Sequence, residues 1–356
     1  MLDLRELGWN DAFQYQLDEL NLGNVMTGRI NRVDRTEYGV LTTEGELSAR
    51  LAGRLKAFSE SKDLPAVGDW VLLKYVGNTL NIFYILDRTS TISRKVPGNV
   101  VREQMVAANV DVVFIVMGLD DDFNLRRLER YLMMVSGSGC HPVVILNKSD
   151  LIDEDSGKLE QIRQMEIGAD VHVISAWDRK GLELLRPYLR KGITATLVGS
   201  SGAGKSTIIN ALLGEQRQRT GEVRESDSRG RHITTRRELF LLPRGGMLID
   251  NPGIRELQLW GEATDLDNAF PDIARLASNC RYRDCSHDTE PRCAVRKALE
   301  EGHISRERYN NYKKMKKELA VLQEKMDKGG ESFQRERWKT IHKGIKSYYK
   351  YKEEGR

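Results

Sequence analysis

At 356 residues the chain is too long for one ordinary hydrophobic core, so two or three domains are expected. Charged residues make up 30% of the sequence but sum to only +4, which fits a soluble protein and leaves any nucleic-acid surface to local clustering rather than overall charge. Asp3, Arg5 and Glu6 lie near the start and no run of eighteen apolar residues occurs, so neither a signal peptide nor a membrane span is expected, and the protein is expected to be cytoplasmic. Three of the four cysteines fall between Cys280 and Cys293, which in a reducing compartment favours metal binding over disulfides; Cys140 stands apart and reads as a small core residue.

Residues 1–22 form an N-terminal extension with helical periodicity through Phe13, Leu17 and Leu20. Residues 23–90 change to five short β-rich runs, at 25–33, 38–43, 46–51, 69–75 and 81–86, separated by turn signals. Five strands in this length predict a small all-β barrel. The oligonucleotide-binding (OB) fold is the obvious candidate, although other small barrels share the pattern. Residues 91–110, with Arg94, Lys95, Pro97, Gly98 and Asn99, read as a linker.

From 111 to 262 the chain alternates strand and helix, predicting an α/β domain with a largely parallel sheet. Strands at 112–117, 142–146, 171–174, 194–198, 239–242 and 247–249 alternate with helices at 125–135, 157–167, 181–189 and 208–213. The polar motifs of this domain all follow strands, where ligands sit in such folds.

The sharpest motif is Gly199-Ser200-Ser201-Gly202-Ala203-Gly204-Lys205-Ser206-Thr207, which fits G-x-x-x-x-G-K-[ST] between a strand and a helix. Glycines let successive N–H groups curl toward phosphate oxygens, and the following helix aims its positive end at the same place. Lys205 is expected to neutralise the β- and γ-phosphates and the Ser206 hydroxyl to ligate Mg²⁺. Asn147-Lys148-Ser149-Asp150 suits guanine. The Asp150 carboxylate can accept from N1–H and the exocyclic amine, Asn147 braces the loop, and the Lys148 stem lies along the base. Ser175-Ala176 offers a backbone N–H to guanine O6, so the set selects GTP over ATP. Asp250 fits the Mg²⁺-side carboxylate reached through water, and Gly253 offers its N–H to the γ-phosphate.

Their order is a cyclic shift of the usual one: N-K-x-D and S-A precede the phosphate loop and D-x-x-G. This is a circular permutation, feasible where strand ends lie close in space. The segment after Asp250 therefore leads straight out of the domain, so rearrangement at Gly253 would be transmitted to whatever follows.

A permuted GTPase between a β-barrel and a C-terminal Cys/His cluster resembles the RsgA-type GTPases of bacterial small ribosomal subunit biogenesis over nearly the whole chain. The resemblance implies an OB barrel, a permuted GTPase domain and a zinc-binding helical domain at 263–356, acting on the small (30S) subunit and its rRNA with GTP and GDP as ligands. It also implies that Cys280, Cys285, His287 and Cys293 ligate one structural Zn²⁺. Read from the residues alone, C-x₄-C-x-H-x₅-C offers four ligands, the number of a closed tetrahedral site, at a spacing unlike the common C-x₂-C knuckle. The protein is expected to be monomeric and to have no membrane partner.

The polar stretch 214–238 takes the place of switch I. Thr234, with Thr235 the close second, is expected to close on Mg²⁺ and the γ-phosphate. After D-x-x-G, where many GTPases carry a water-orienting Gln, stands Ile254, which cannot hydrogen-bond. Slow intrinsic hydrolysis stimulated by a partner follows, with His232 either the substitute or a solvated or RNA-contacting side chain. A helix at 305–326 bears Lys313, Lys314, Lys316 and Lys317. Beyond it a basic, aromatic tail includes Arg335, Trp338, Lys343 and Tyr349, suited to rRNA or simply to solvent. Two rival readings stand: an RNA-binding placeholder using GTP as a structural ligand, and a permuted GTPase of large-subunit assembly.

Overall fold

The computed structural model describes residues 2–23, 25–53, 55, 64–95, 103–152, 157–165, 167–214, 237–251 and 263–330. Five strands build the barrel: β1 (Met26–Val33), β2 (Tyr38–Thr42), β3 (Gly45–Leu51), β4 (Trp70–Val76) and β5 (Thr79–Ile85). Their order is β1-β2-β3-β5-β4, and β1 also pairs with β4, which closes the sheet on itself. Closure removes the exposed edges that a five-stranded sheet would otherwise present. β3 and β5 run parallel and the other barrel pairs antiparallel. Ile30, Val40, Ala49, Val71, Leu73 and Ile82 fill the interior. This is the expected OB-type barrel.

Residues before the barrel cover it. Helix α1 (Asp11–Leu20) starts at Asn10, whose side chain accepts from the amides of Ala12 and Phe13, and stops at Asn21 in the left-handed conformation. Trp9 and Phe13 pack on Trp70, with ring centroids 4.9 and 5.9 Å away. Gln16 exchanges two hydrogen bonds with the Asp87 backbone. The stretch read as a linker contains an antiparallel pair, β6 (Thr91–Lys95) and β7 (Glu103–Ala108).

The central sheet comprises β8 (Val112–Gly118), β9 (His141–Asn147), β10 (Asp170–Val173), β11 (Thr194–Gly199), β12 (Glu238–Leu241) and β13 (Met247–Asp250). Its order is β10-β9-β8-β11-β13-β12, parallel except for the edge strand β12. All of β8 is buried, as a strand covered on both faces must be: Val113 and Ile115 join one core, Phe114 and Val116 the other. Helices α2 (Leu125–Ser136), α3 (Lys158–Gln164) and α4 (Lys205–Leu213) pack around it, and the helix expected at 181–189 is a 3₁₀ segment, Leu182–Tyr188, with Pro187 inside. Pro187 has no N–H to donate and its ring crowds the preceding turn, which disfavours a regular α-helix there.

Barrel and sheet meet where Arg32 of β1 pairs with Glu238 of β12. Beside this joint Arg29 is only 1% exposed. Its guanidinium donates to the carbonyls of Leu7, Gly68 (3.1 Å) and Asn109 (2.7 Å) and lies 3.5 Å from Met247 Sδ. One side chain thus ties together the N-terminal segment, the barrel, the loop before β8 and the central sheet. Burial lowers its pKa to about 10, against the opposing fields of Asp111 and Asp69. Gly68 (φ +95°) lets the chain pass: a Cβ there would lie 2.0 Å from the Ala108 carbonyl oxygen.

The C-terminal helices α5 (Ala263–Ala269), α6 (Pro271–Ala277), α7 (Ala294–Glu300) and α8 (Arg306–Gly330) share a core of Phe270, Ile273, Val295, Tyr312 and Met315. Met133 of α2 is part of that core, so α2 serves two domains. The seam is polar as well. Arg308 lies between Glu129 of α2 and Asp272 of α6, Asn311 donates to Glu129, and Arg130 forks onto Glu318 at 2.8 and 3.1 Å. Among the described residues no helix is long and apolar enough to cross a membrane.

Arg29→Met strips donors from three carbonyls; that of Gly68 keeps the Asn109 side-chain amide at 3.1 Å, and leaving those of Leu7 and Asn109 unpaired in the interior costs about 1–3 kcal/mol each. We expect a clear fall in the urea midpoint, with barrel and central-domain probes moving together; a wild-type midpoint would contradict this role.

Candidate nucleotide site and metal centre

The phosphate loop leaves β11 at Gly199 and enters α4 at Lys205. Two glycines are required by contact. Gly199 (φ +151°) passes so close to β8 that a Cβ would stand 2.2 Å from the Val116 carbonyl oxygen. Gly204 (φ +96°) caps α4, and a Cβ there would stand 2.1 Å from Asn147 Nδ2. The Lys205 ammonium donates to the carbonyls of Gly199 (2.8 Å) and Ser200 (2.5 Å). Ser201 and Gly202 are exposed, Ala203 is buried, and Ser206 and Thr207 are half-buried in the first turn of α4, whose amides and helix dipole favour an anion.

Asn147, 2% exposed at the end of β9, uses both ends of its amide. Its Nδ2 donates to the Ala203 carbonyl at 2.9 Å and its Oδ1 accepts from the Ala176 amide at 3.0 Å. Of the two amides expected to offer an N–H to guanine O6, that of Ala176 donates to Asn147 and that of Ser175 to the Lys180 carbonyl. Lys148 adopts a left-handed conformation (φ +66°) that turns the chain into the 3₁₀ turn Ser149–Leu151. Asp150 is exposed, with Oδ1 accepting from the Ser175 hydroxyl at 2.5 Å. Asp250 ends β13, beside β11, and Asn251 after it donates to Thr196 Oγ1 at 3.0 Å, which pins the end of β13 to the strand feeding the phosphate loop.

The segment between β8 and α2 adds residues that the motifs do not name. The Lys148 ammonium donates to Asp120 at 2.5 Å, and the Ser200 hydroxyl donates to Asp122 at 2.5 Å. Lys158 of α3 closes over this segment, donating to the carbonyls of Leu119 and Asp120. Burial raises the Asp120 carboxyl, but Lys148 and hydrogen bonds from backbone amides together outweigh it and hold the pKa below the ordinary value. The signal in the sequence is the run Asp120-Asp121-Asp122, an odd place for acids beside a phosphate site unless they are partnered.

In the C-terminal part, the Sγ atoms of Cys280, Cys285 and Cys293 and a ring nitrogen of His287 all lie within 4.8 Å of one another. Cys280 Sγ is 3.8 Å from Cys293 Sγ, and His287 Nδ1 is 3.6 and 3.5 Å from these two sulfurs. A tetrahedron with metal–sulfur bonds of about 2.3 Å and a metal–nitrogen bond of about 2.05 Å has edges of about 3.8 and 3.6 Å, so this donor set fits a metal ion. Burial pushes the Cys285 thiol up to about 11, and the adjoining thiols of Cys293 and Cys280 push the same way; a cation relieves that crowding. The frame is rigid: Cys293 caps α7, His287 is left-handed (φ +65°), and the Tyr309 hydroxyl donates to the His287 carbonyl at 2.7 Å.

A family model described as RsgA GTPase matches residues 85–260. A small ribosomal subunit biogenesis GTPase RsgA from Opitutus terrae is 41% identical over 355 residues, spanning 96% of this chain and 97% of its own length. The chain belongs to the RsgA GTPase family. YjeQ from Thermotoga maritima, a solved structure, is 27% identical with a TM-score of 0.64 over 83% of this chain and 99% of its own. YloQ, described as a circularly permuted GTPase, is 25% identical with a TM-score of 0.57 over 84% and 96%. This RsgA-family chain has the permuted order: β9 and β10 with their motifs precede β11 and the phosphate loop. Thr234, Thr235, His232, Gly253, Ile254 and the tail beyond 330 lie outside the described residues.

Gly204→Ala forces both a strained φ and a collision with Asn147, a penalty of roughly 1–3 kcal/mol. Guanine-nucleotide affinity, read by titration calorimetry, is expected to fall about 10-fold or more; affinity within twofold of wild type would contradict the close approach. At the metal centre, the purified protein is expected to contain one metal ion per chain by elemental analysis. Cys285→Ser or exhaustive chelation should lower the unfolding temperature of the C-terminal helices, and an unchanged unfolding profile would show that no ion braces them.

Proposed function

We propose that this GTP hydrolase of the RsgA family binds the small ribosomal subunit, assists its late maturation, and hydrolyses GTP to GDP and phosphate when stimulated by that particle. The observation that best supports a guanine-nucleotide site is the two-ended hydrogen bonding of Asn147, which draws together three motifs lying far apart in sequence. Asp150 reads the two donors on the guanine edge, Ser175 holds that carboxylate, and the stem of Lys148, its ammonium anchored by Asp120, lies along the base. Lys205 exchanges the Gly199 and Ser200 carbonyls for phosphate oxygens. Mg²⁺, when bound with GTP, offsets charge developing on the phosphates. Ser206 and Thr234 are the residues proposed to ligate it and Asp250 to reach it through water, with the Gly253 amide on the γ-phosphate.

In this reading the metal of the C-terminal part is Zn²⁺, because three thiolates and an imidazole at these separations match its ligand preference and leave no open position for catalysis. Relatives are named for small ribosomal subunit biogenesis, and the metal loop presents Arg281 and Arg283 beside exposed Tyr282, a combination suited to RNA. With Ile254 in place of a hydrogen-bonding residue, water must be oriented by another group, for which His232 is proposed.

GTP turnover measured with isolated small and then large subunits tests the proposal. Stimulation by small subunits is expected; stimulation by large subunits alone would redirect it, and none by either would favour a placeholder. For the base, Asp150→Asn puts an amide donor where guanine presents only donors. It should lose GTP affinity about 100-fold or more and gain affinity for xanthosine triphosphate, whose C2 carbonyl accepts. Unchanged GTP affinity would remove Asp150 from the base site.

A further inference from the structure

Asp122 belongs to none of the nucleotide motifs, yet it grips the phosphate loop. Its side chain is 14% exposed and accepts three hydrogen bonds: from the Ser200 hydroxyl at 2.5 Å, from the Gly118 amide at 3.3 Å, and from Arg127 Nη1 at 2.7 Å. Arg127 also donates to the Asp122 backbone carbonyl. Three physical facts give this arrangement a purpose. First, a carboxylate this near a polyphosphate site repels the ligand unless its charge is offset, and Arg127 offsets it. Second, Asn124 caps α2 through the Arg127 amide, so the arginine springs from a fixed first turn. Third, the Ser200 carbonyl is held by Lys205, whereas its hydroxyl is held by Asp122, so the second grip does not depend on where the lysine points.

We propose that Asp122 is a positioning residue for guanine-nucleotide binding: through Ser200 it sets the first turn of the phosphate loop, so that the loop amides face the phosphates without reorganising. The inference rests on the reading of this loop as the GTP site. It assigns Ser200 a side-chain role that the motif G-x-x-x-x-G-K-[ST], silent at that position, does not require. A preset loop binds ground state and transition state alike, so its loss appears mainly in affinity and KM.

The test is a double-mutant cycle in the full-length protein, read by equilibrium binding of GDP and by steady-state GTP turnover. Asp122→Ala and Ser200→Ala are each expected to weaken GDP binding and raise KM about 10-fold, the range for losing a charge-assisted hydrogen bond, with kcat changing far less. Asp122→Asn keeps an acceptor for the Ser200 hydroxyl and should recover most of the affinity. The double variant Asp122→Ala/Ser200→Ala should be no weaker than either single one, because both remove the same bond. Affinity within twofold of wild type for Ser200→Ala, multiplication of the two effects, or a loss confined to kcat would overturn the proposal. Should Asp122→Ala fail to fold, Ser200→Ala and Asp122→Asn decide it on their own. A wild-type protein that bound no guanine nucleotide would instead refute the underlying site, a distinct result.

Discussion

A single buried amide organises the proposed nucleotide site. Asn147 offers one donor and one acceptor in a fixed plane, and spends them on Ala203 of the phosphate loop and Ala176 of the S-A turn. These partners lie 56 and 29 residues away in sequence. They meet because β8, β9, β10, β11 and β13 run parallel and deliver their motifs to one edge of the sheet. Gly204 leaves the space, since a side chain there would displace Nδ2. Circular permutation leaves this arrangement intact: what matters is which strand ends are neighbours, not where the chain starts. It changes instead what is attached to each end, and here the chain after Asp250 leads onward in sequence to the helices that carry the Cys/His cluster.

Those helices are also attached from the other side. The segment 118–124 touches the base motif through Asp120 and the phosphate loop through Asp122, and it runs directly into α2. Along α2, Glu129 meets Arg308 and Asn311, Arg130 meets Glu318, and Met133 enters the C-terminal core. The Glu129–Arg308–Asp272 cluster is not in itself a strong stabiliser, because burying charges costs nearly what their attraction returns. Its value is directional: Arg308 forks onto Asp272 while reaching Glu129, which fixes the angle at which α8 crosses α2. Burial raises the Glu129 carboxyl and Arg308 opposes the rise. Arg29 performs the corresponding task for the barrel with carbonyl partners.

What could be read from the sequence was what short-range chemistry writes into consecutive residues. The glycine spacing of 199–204, Asn147 to Asp150, and the Cys/His spacing each announce a local requirement, and alternating runs of Val, Ile and Leu announced the strands. Long-range partnerships left no such trace. Nothing adjacent to Arg29 shows that it will be buried against three carbonyls, because its partners come from residues 7, 68 and 109. The pair β6 and β7 was hidden by Pro97, Gly98 and Asn99, which read as linker between strands. The run Asp120-Asp121-Asp122 does not name its partners, because neither Lys148 nor Ser200 is near in sequence. The 3₁₀ form of Leu182–Tyr188 follows from Pro187, a signal that was present but outweighed by apolar periodicity.

The account stands on Asn147 joining the base and phosphate halves of one guanine-nucleotide site. Equilibrium binding of GTP and ATP to the wild-type protein and to Asn147→Ala measures this most directly. The account predicts one GTP per chain, ATP at least about 100-fold weaker, and a loss of GTP affinity of about 100-fold in the variant, since both its partners lose their hydrogen bonds inside the protein. Comparable affinity for the two nucleotides, or a variant that binds GTP as the wild type does, would contradict it.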